Sequence, residues 1–560
     1  MKKLLVILLL FGISDLVRGQ DERLWATYYG GNNIDHGNSV VTDIVGNVYM
    51  AGQTKSDTGI SFQGFQNNRG GNDDAYLVKF DSTGNRLWAT YFGGQNIDHG
   101  YSVVTDLGGN IYMGGYTIST SDIAYGGFQN SYGGGFNDAF LVKFDSTGNR
   151  LWSTYYGGDG KDYCWSIATD FFGNVYMAGT TTSIINISSN GFQSSNNGVS
   201  DAFLVKFDSN GNRIWATYYG GISTDNGSCI ATDLEGNVYM IGMTTNNDDI
   251  SYQGFQNIYG GNSDAFLVKF DSLGNRIWAS YYGGAENEYG WSVATDIFGN
   301  VYISGNTKST EDISSSGFQN TFGGSGAFNS GDAFVVKFDS EGNRLWATYY
   351  GGENDEEGLS VTTDMSGNVY LGGDTYSSEN VTFEGYQNGL LGQENLFVVK
   401  FDTSGNRICA TCYGIGHDEE GHIAVDIFDN IYLSGITSNT FGIASEGFQN
   451  TYGGGDNDSY LVKFHSCINN IIVKPDNEIE IPNFVTPNGD NLNDYFEIIY
   501  TLEDDAERPL TIYNRWGNKI YETDNYLNDW DGDKHSAGTY FYVLTLPDGN
   551  SHKGTITLIK

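Results

Sequence analysis

The sequence predicts an all-β protein: a seven-bladed β-propeller over 20–467, closed by its own N-terminal strand, then a small β-sandwich over 482–560. Three observations carry this. A unit of about 63 residues recurs seven times, with its Trp at Trp25, Trp88, Trp152, Trp215, Trp278 and Trp346 and Cys409 in the seventh place. The repeats open on "RLWATYYGG" (23–31), the back half of the unit, and close on "YLVKF" (460–464), the front half. All five prolines, Pro475, Pro482, Pro487, Pro509 and Pro547, fall after the repeats, which marks a domain boundary.

Each period reads as four strands. In the first, "SVVTD" (39–43) passes through a short turn into "VYMAGQT" (48–54), a long loop leads to "DAYLVKF" (74–80), and "DSTGN" turns into "RLWATYF" (86–92). The strands are rich in Val, Tyr, Phe and Thr. Asp at the start of the turn and Gly near its end fit a type I turn closed by a left-handed residue. Four short strands per unit, repeated at fixed period, predict propeller blades. If "SVVTD" is innermost, "RLWATYY" is the outer strand of the preceding blade. The unprefixed copy at 23–29 then completes the seventh blade and covers an edge otherwise left unpaired.

The repeats resemble the SBBP-type β-propeller family through "GNVYMAG", "GFQN" and "DAFLVKFDSTGNRLWATYYGG" over roughly 22–466. The resemblance implies the fold and attaches no general reaction to it.

Composition bounds function. Gly 78, Tyr 39 and Phe 33 among 560 residues suit strands and tight turns, and the formal net charge of −40 excludes nucleic acid and anionic membrane surfaces as partners. Lys2 and Lys3 precede an apolar run too short to span a bilayer, and Val17-Arg18-Gly19 offers a cleavage region, so 1–19 reads as a secretory signal peptide. With no other apolar run long enough, no transmembrane anchor is expected.

After a linker at 468–481, strand-like runs ("YFEIIY", "LTIYN", "KIYET", "GTYFYVLTL", "KGTITLIK") alternate with polar turns, as in a small sandwich. "FVTPNGDNLNDYFEI", "LTIYNRWGNKIYE" and "WDGDKHSAGTYFYVLTL" resemble the gliding-motility-associated C-terminal domain, with Asn491 where that family usually has Gly. This is the type B sorting domain of the type IX secretion system, an Ig-like sandwich. The resemblance implies secretion, or display on the cell surface, of a Gram-negative bacterium, with the secretion machinery as partner. Within it, Asp490, Asn493 and Asp494 form an oxygen-rich loop suited either to calcium or to ordinary tight-turn chemistry.

A site is expected on the face carrying the long loops. A carboxylate precedes every inner strand (Asp35, Asp98, Asp162, Asp225, Glu288, Glu356, Glu419), either as an acidic crown or as a clamp on backbone N–H groups. Residues that break the sevenfold pattern point more directly to a ligand. Aromatics gather beside these acids at Tyr101, Tyr163, Trp165, Tyr289 and Trp291, and histidines at His36 and His99, with His417 and His422. Such rings suit stacking on sugars. There is no nucleophile elbow, H-E-x-x-H, P-loop or dinucleotide fingerprint. The expectation is therefore a non-catalytic binding or adhesion protein for extracellular polysaccharide or a surface glycoprotein. The alternatives are a purely structural propeller, and a polysaccharide lyase or glycoside hydrolase acting through rim carboxylates. Cys409 and Cys412 form a C-x-x-C, but they occupy the Trp and Tyr positions of other repeats and read as substituted packing residues.

Overall fold

A computed structural model describes residues 23–245, 247–326, 330–416, 418–465, 479–480, 484–487, 495–496, 498–500, 509–545, 551–558 and 560. The expected signal peptide, most of the expected linker, and Asp490, Asn493 and Asp494 lie outside these. The chain is all-β and divides into two compact units after Asn469.

In the first unit the described residues form seven four-stranded antiparallel sheets. Sheet I contains Asp35–Thr42, Val48–Thr54, Asp74–Phe80 and Arg86–Phe92. Sheet II contains Asp98–Thr105, Ile111–Thr117, Asp138–Phe144 and Arg150–Tyr156. Sheet III runs Asp162–Thr169, Val175–Thr181, Asp201–Phe207 and Arg213–Tyr219. Sheet IV runs Asp225–Thr232, Val238–Thr244, Asp264–Phe270 and Arg276–Tyr282. Sheet V is Glu288–Thr295, Val301–Thr307, Asp332–Phe338 and Arg344–Tyr350. Sheet VI is Glu356–Thr363, Val369–Thr375, Glu394–Phe401 and Arg407–Gly416. Sheet VII joins Asp418–Val425, Ile431–Thr437 and Asp458–Phe464 to Arg23–Tyr29, which pairs antiparallel with Asp458–Phe464.

The tight turns follow from their residues. Asp43 accepts the N–H of Gly46 through its carbonyl and those of Val45 and Asn47 through its carboxylate, and Gly46 sits at φ 85°. That left-handed residue is what glycine supplies. In sheet VII the same place is held by Asp429 at φ 62°.

The sheets pack face to face through apolar cores. Tyr49, Ala51, Leu77 and Trp88 of sheet I meet Val103, Ile111, Met113 and Phe140 of sheet II. An equivalent cluster joins sheets VII and I, where Trp25, Tyr29, Tyr432 and Leu461 meet Val40, Met50, Tyr76 and Val78. Polar features repeat at both junctions. Trp88 Nε1 donates to Ser146 O of the next sheet at 3.0 Å, and Trp25 Nε1 donates to Ser82 O at 3.1 Å. Arg150 lies over Phe65, the aromatic of "GFQN" in sheet I, and Arg86 lies over Phe448, its counterpart in sheet VII. The "GFQN" loops also pair with the outer strands, as Phe62 does with Ala89, so those edges are covered.

The "LVKF" lysines are nearly buried, and Lys143, Lys206, Lys269 and Lys400 pair with the Asp that follows an inner strand. Lys206 Nζ stands 3.3 Å from Asp170 Oδ2, with side chains 7% and 0% exposed, and lies over the Tyr176 ring. Removing one partner strands the other charge. Asp170→Ala is therefore expected to cost about 3–5 kcal/mol, measured as a lowered denaturation midpoint. A loss below about 1 kcal/mol, the range of an exposed pair, would contradict this account.

The C-x-x-C pair does not bond to itself: Cys412 is a free, buried thiol, whereas Cys409 is disulfide-bonded. Cys409 faces Lys400 in the ladder, where Trp88 faces Lys79, which is the packing position expected of it.

In the second unit a five-stranded sheet is ordered Phe484–Val485, Ser551–Leu558, Gly538–Thr545, Leu510–Tyr513, Lys519–Thr523. Ile479–Glu480 pairs separately with Ile499–Tyr500. Its own core includes Phe496, Ile512, Trp530, Tyr542 and Leu558.

Candidate functional site: an aromatic and histidine group on sheets I to III

The recurrent carboxylates of sheets I to VI are clamps; in sheet VII the register sets Asp418, not the expected Glu419, opposite the closing Thr437. Asp35 accepts the Gly31 N–H at 2.7 Å, the Ser56 hydroxyl at 2.8 Å and the Thr54 hydroxyl. Asp98 and Asp162 repeat the pattern, with Gly94, Ser119 and Thr117 in one case and Gly158, Ser183 and Thr181 in the other. Glu288 and Glu356 do so with Gly284 and Thr307, and with Gly352 and Thr375. All five are fully buried, as is Asp225. Burial pushes Asp35 up to about 6 and Glu356 up to about 7. In sheets I to VI these groups hold the loop before the inner strand, and five of them tie it to the end of the second strand. These six are enclosed and engaged in structural hydrogen bonds.

The positions that differ between repeats behave otherwise. His99 Nδ1 hydrogen-bonds with the Tyr116 hydroxyl at 3.1 Å, and Nε2 with Asp73 Oδ2 at 3.4 Å. Burial lowers its pKa, opposed by Asp73. The geometry fits a neutral ring that accepts from Tyr116 and donates from Nε2 to Asp73. His36, across the ladder from Gln53, is lowered first by burial and then by His99 and Lys55.

The rings form one group. Tyr101 stacks on Tyr116 (5.9 Å, 22°) and meets Trp165 edge-on (4.8 Å, 73°). Tyr163 stacks on Trp165 (5.1 Å, 5°) and meets Tyr116 edge-on (5.1 Å, 75°). Trp165 Nε1 donates to Thr180 Oγ1 at 3.2 Å, and Asn38 Nδ2 donates to Gln53 Oε1 and Gly100 O. His36, His99, Tyr101, Tyr163 and Trp165 are thus gathered on sheets I to III. Tyr289 and Trp291 form a separate stack on sheet V (5.9 Å, 11°), where Trp291 Nε1 donates to Asn306 Oδ1 at 2.7 Å.

Several contributors come from the second strand: Gln53, Tyr116, Thr180 and Asn306, to which Asp374 corresponds on sheet VI. They face the rim residues in register, as Tyr116 faces His99 and Asp374 faces Glu357. Their signal in the sequence is the variable residue immediately before the closing Thr of "GNVYMAGQT" and its copies. On sheet VI this face is acidic. Asp374 accepts the Gly421 N–H at 3.1 Å, and burial followed by Glu394 holds it well above the usual carboxylate range. Glu420 of sheet VII acts electrostatically on Tyr101. His422 is half-buried, and desolvation lowers it to about 4. Among the described residues no group of three or more His, Cys, Asp or Glu side chains is placed to hold a metal ion.

Sequence comparison defines the class. Five segments, 24–58, 87–122, 151–186, 214–248 and 277–311, are SBBP β-propeller repeats, and 479–558 is a CHU_C Type IX secretion signal domain. That domain implies export, to the medium or the surface of a bacterium. No helix among the described residues is long and apolar enough to cross a membrane. The chain is 22% identical, over 81% of its length, to an uncharacterized WD repeat-containing protein of Acanthamoeba polyphaga mimivirus, and 29% identical, over 25%, to the regulatory protein FlaEY of Caulobacter vibrioides. It spans 39% and 15% of those two relatives. Among solved structures it is similar to Sqt1 from Chaetomium thermophilum, at 10% identity and TM-score 0.39 over 80% of this chain and 100% of that one. It is similar also to the polysaccharide lyase Uly1, at 9% identity and TM-score 0.39 over 80% and 98%.

Proposed function

We propose that 20–467 is a closed seven-bladed propeller, sheets I to VII being its blades, and that it binds extracellular glycan without catalysis. In this reading 1–19 is a signal peptide, 468–481 a linker, and 482–560 the sorting domain that delivers the propeller to the medium or outer surface of a Gram-negative bacterium. The supporting observation for binding is the four-ring group Tyr101, Tyr116, Tyr163 and Trp165, bordered by Asn38, Gln53, His36 and His99. Flat aromatic faces beside amides and imidazoles suit a sugar ring, whose C–H face stacks while its hydroxyls hydrogen-bond.

One aromatic contact contributes roughly 1 kcal/mol, so Trp165→Ala is expected to weaken binding about fivefold. Titration of soluble polysaccharide into the secreted protein, followed calorimetrically, measures this. Trp291→Ala, in the separate stack, should have the smaller effect. Unchanged affinity in Trp165→Ala would remove the site from sheets I to III, and the absence of any glycan ligand would favour the structural reading.

A further inference from the structure

A second buried carboxyl accompanies each of the six clamps of sheets I to VI, and it opens the third strand of the preceding sheet. Asp138 is fully buried and accepts from the Gly133 N–H at 2.6 Å and Gln129 Nε2 at 3.2 Å, both through Oδ2. Its Oδ1 is buried without a partner. The Oδ1 atoms of Asp201 and Asp458 are likewise buried with no hydrogen bond of normal geometry, the nearby Gly198 and Gly454 N–H groups favouring the charged form of those carboxyls. Each faces a clamp of the next sheet across a single glycine. A methyl group on Gly157 would stand 2.7 Å from Asp138 Oδ1 and 2.7 Å from Asp162 Oδ2. Gly220 lies likewise between Asp201 and Asp225, and Gly30 between Asp458 and Asp35.

The other groups facing Asp138 are Asp162, Tyr132 and Tyr155. Around Asp458 they are Asp35 and Tyr452, with Tyr76 behind, and around Asp201 they are Asp225 and Tyr218. No cation is among them. Two ionised carboxylates enclosed together repel, and neither is solvated. Asp162 already receives three donors, so its charge is compensated, whereas Asp138 receives two and has an idle oxygen.

Sheet VI supplies a natural comparison. There Asn395 stands in place of Asp138. Its Oδ1 accepts from Gln387 Nε2 at 3.1 Å and the Leu391 N–H at 2.7 Å, the same two kinds of donor. Its other atom is a donor, and Nδ2 donates to Glu394 O at 2.7 Å. A neutral amide with one acceptor and one donor is the isostere of a protonated carboxyl.

We propose that Asp138, Asp201 and Asp458 are proton-binding sites, each carrying a carboxyl proton on Oδ1 directed at the ionised clamp of the next sheet. Burial supports this by pushing Asp138 and Asp458 up to about 7 and Asp201 up to about 6. Because these folded-state values lie above those of an unfolded chain, the stabilisation is complete below about pH 4 and is lost as pH rises through 6 to 7. The pairs thus oppose the usual acid destabilisation and loosen the sheet junctions in alkali.

The test compares melting of the full mature chain at pH 5 and pH 8 with Asp138→Asn, which copies sheet VI. The variant is expected to melt higher than the parent at pH 8, with the gain shrinking at pH 5. Infrared difference spectra of the parent between the two pH values should show a protonated carboxylic acid band lost on the alkaline side and reduced in the variant. Should Asp138→Asn fail to fold, Asp201→Asn and Asp458→Asn are measured in the same way. An equal shift at both pH values, absence of the band, or alkaline loosening that added calcium prevents (a cation in place of the proton) would overturn the proposal.

Discussion

A chain lacking residues 20–30 is expected to lose cooperative folding of the repeat region. The segment contains the strand Arg23–Tyr29, whose Trp25, Ala26, Tyr28 and Tyr29 are 0–4% exposed. The strand supplies one edge of sheet VII and joins the cores on both its faces: Trp25 and Tyr29 belong to the cluster shared with sheet I, and Ala26 and Tyr28 to the cluster shared with sheet VI. Truncating one buried aromatic costs about 3–5 kcal/mol, and whole domains hold only about 5–15 kcal/mol. Losing three at once, with a ladder of backbone hydrogen bonds, leaves nothing in reserve. Tyr29→Ala alone should lower stability by about 3–5 kcal/mol while keeping a cooperative transition. A deletion that melts like the full chain would show that the proposed closure contributes nothing.

Removing 479–560 is expected to stop delivery beyond the outer membrane and leave the repeat region in the periplasm. The removed part contains the Type IX secretion signal domain. It has its own core around Phe496, Trp530 and Tyr542, and the repeat region has seven others. The truncated protein should therefore melt like the parent, and its location should change while its fold does not. Fractionation with immunodetection measures this. Normal recovery from the medium or cell surface would contradict the sorting role. Loss of the melting transition would show instead that the two units depend on each other.

Repetition made the strands legible. Seven copies of "VYM", "LVKF" and "RLWATYY" average out local ambiguity, and the orphan copy at 23–29 announced the pairing with Asp458–Phe464. The clamp role of Asp35 was legible for the same reason: a group needed in every unit serves the unit. Tyr116 was missed because it lies inside a strand motif that otherwise reads as packing, and only the register places it beside His99. Tyr289 and Trp291 were grouped with Tyr101 and Trp165 by type. They stand apart because sheet IV, with Asn226, Ser228 and Met243 at the equivalent places, contributes no ring between them. The paired carboxyls were illegible singly, since an Asp opening a strand gives no hint of what it meets in the next repeat.

The most direct measurement of the central claim is a glycan array probed with the secreted full chain, with and without calcium, alongside an assay for released reducing ends. The account predicts retention on one class of extracellular polysaccharide, loss of that signal in Trp165→Ala, and no released product. Release of oligosaccharides, or an array on which the parent and Trp165→Ala give the same signal, would contradict it.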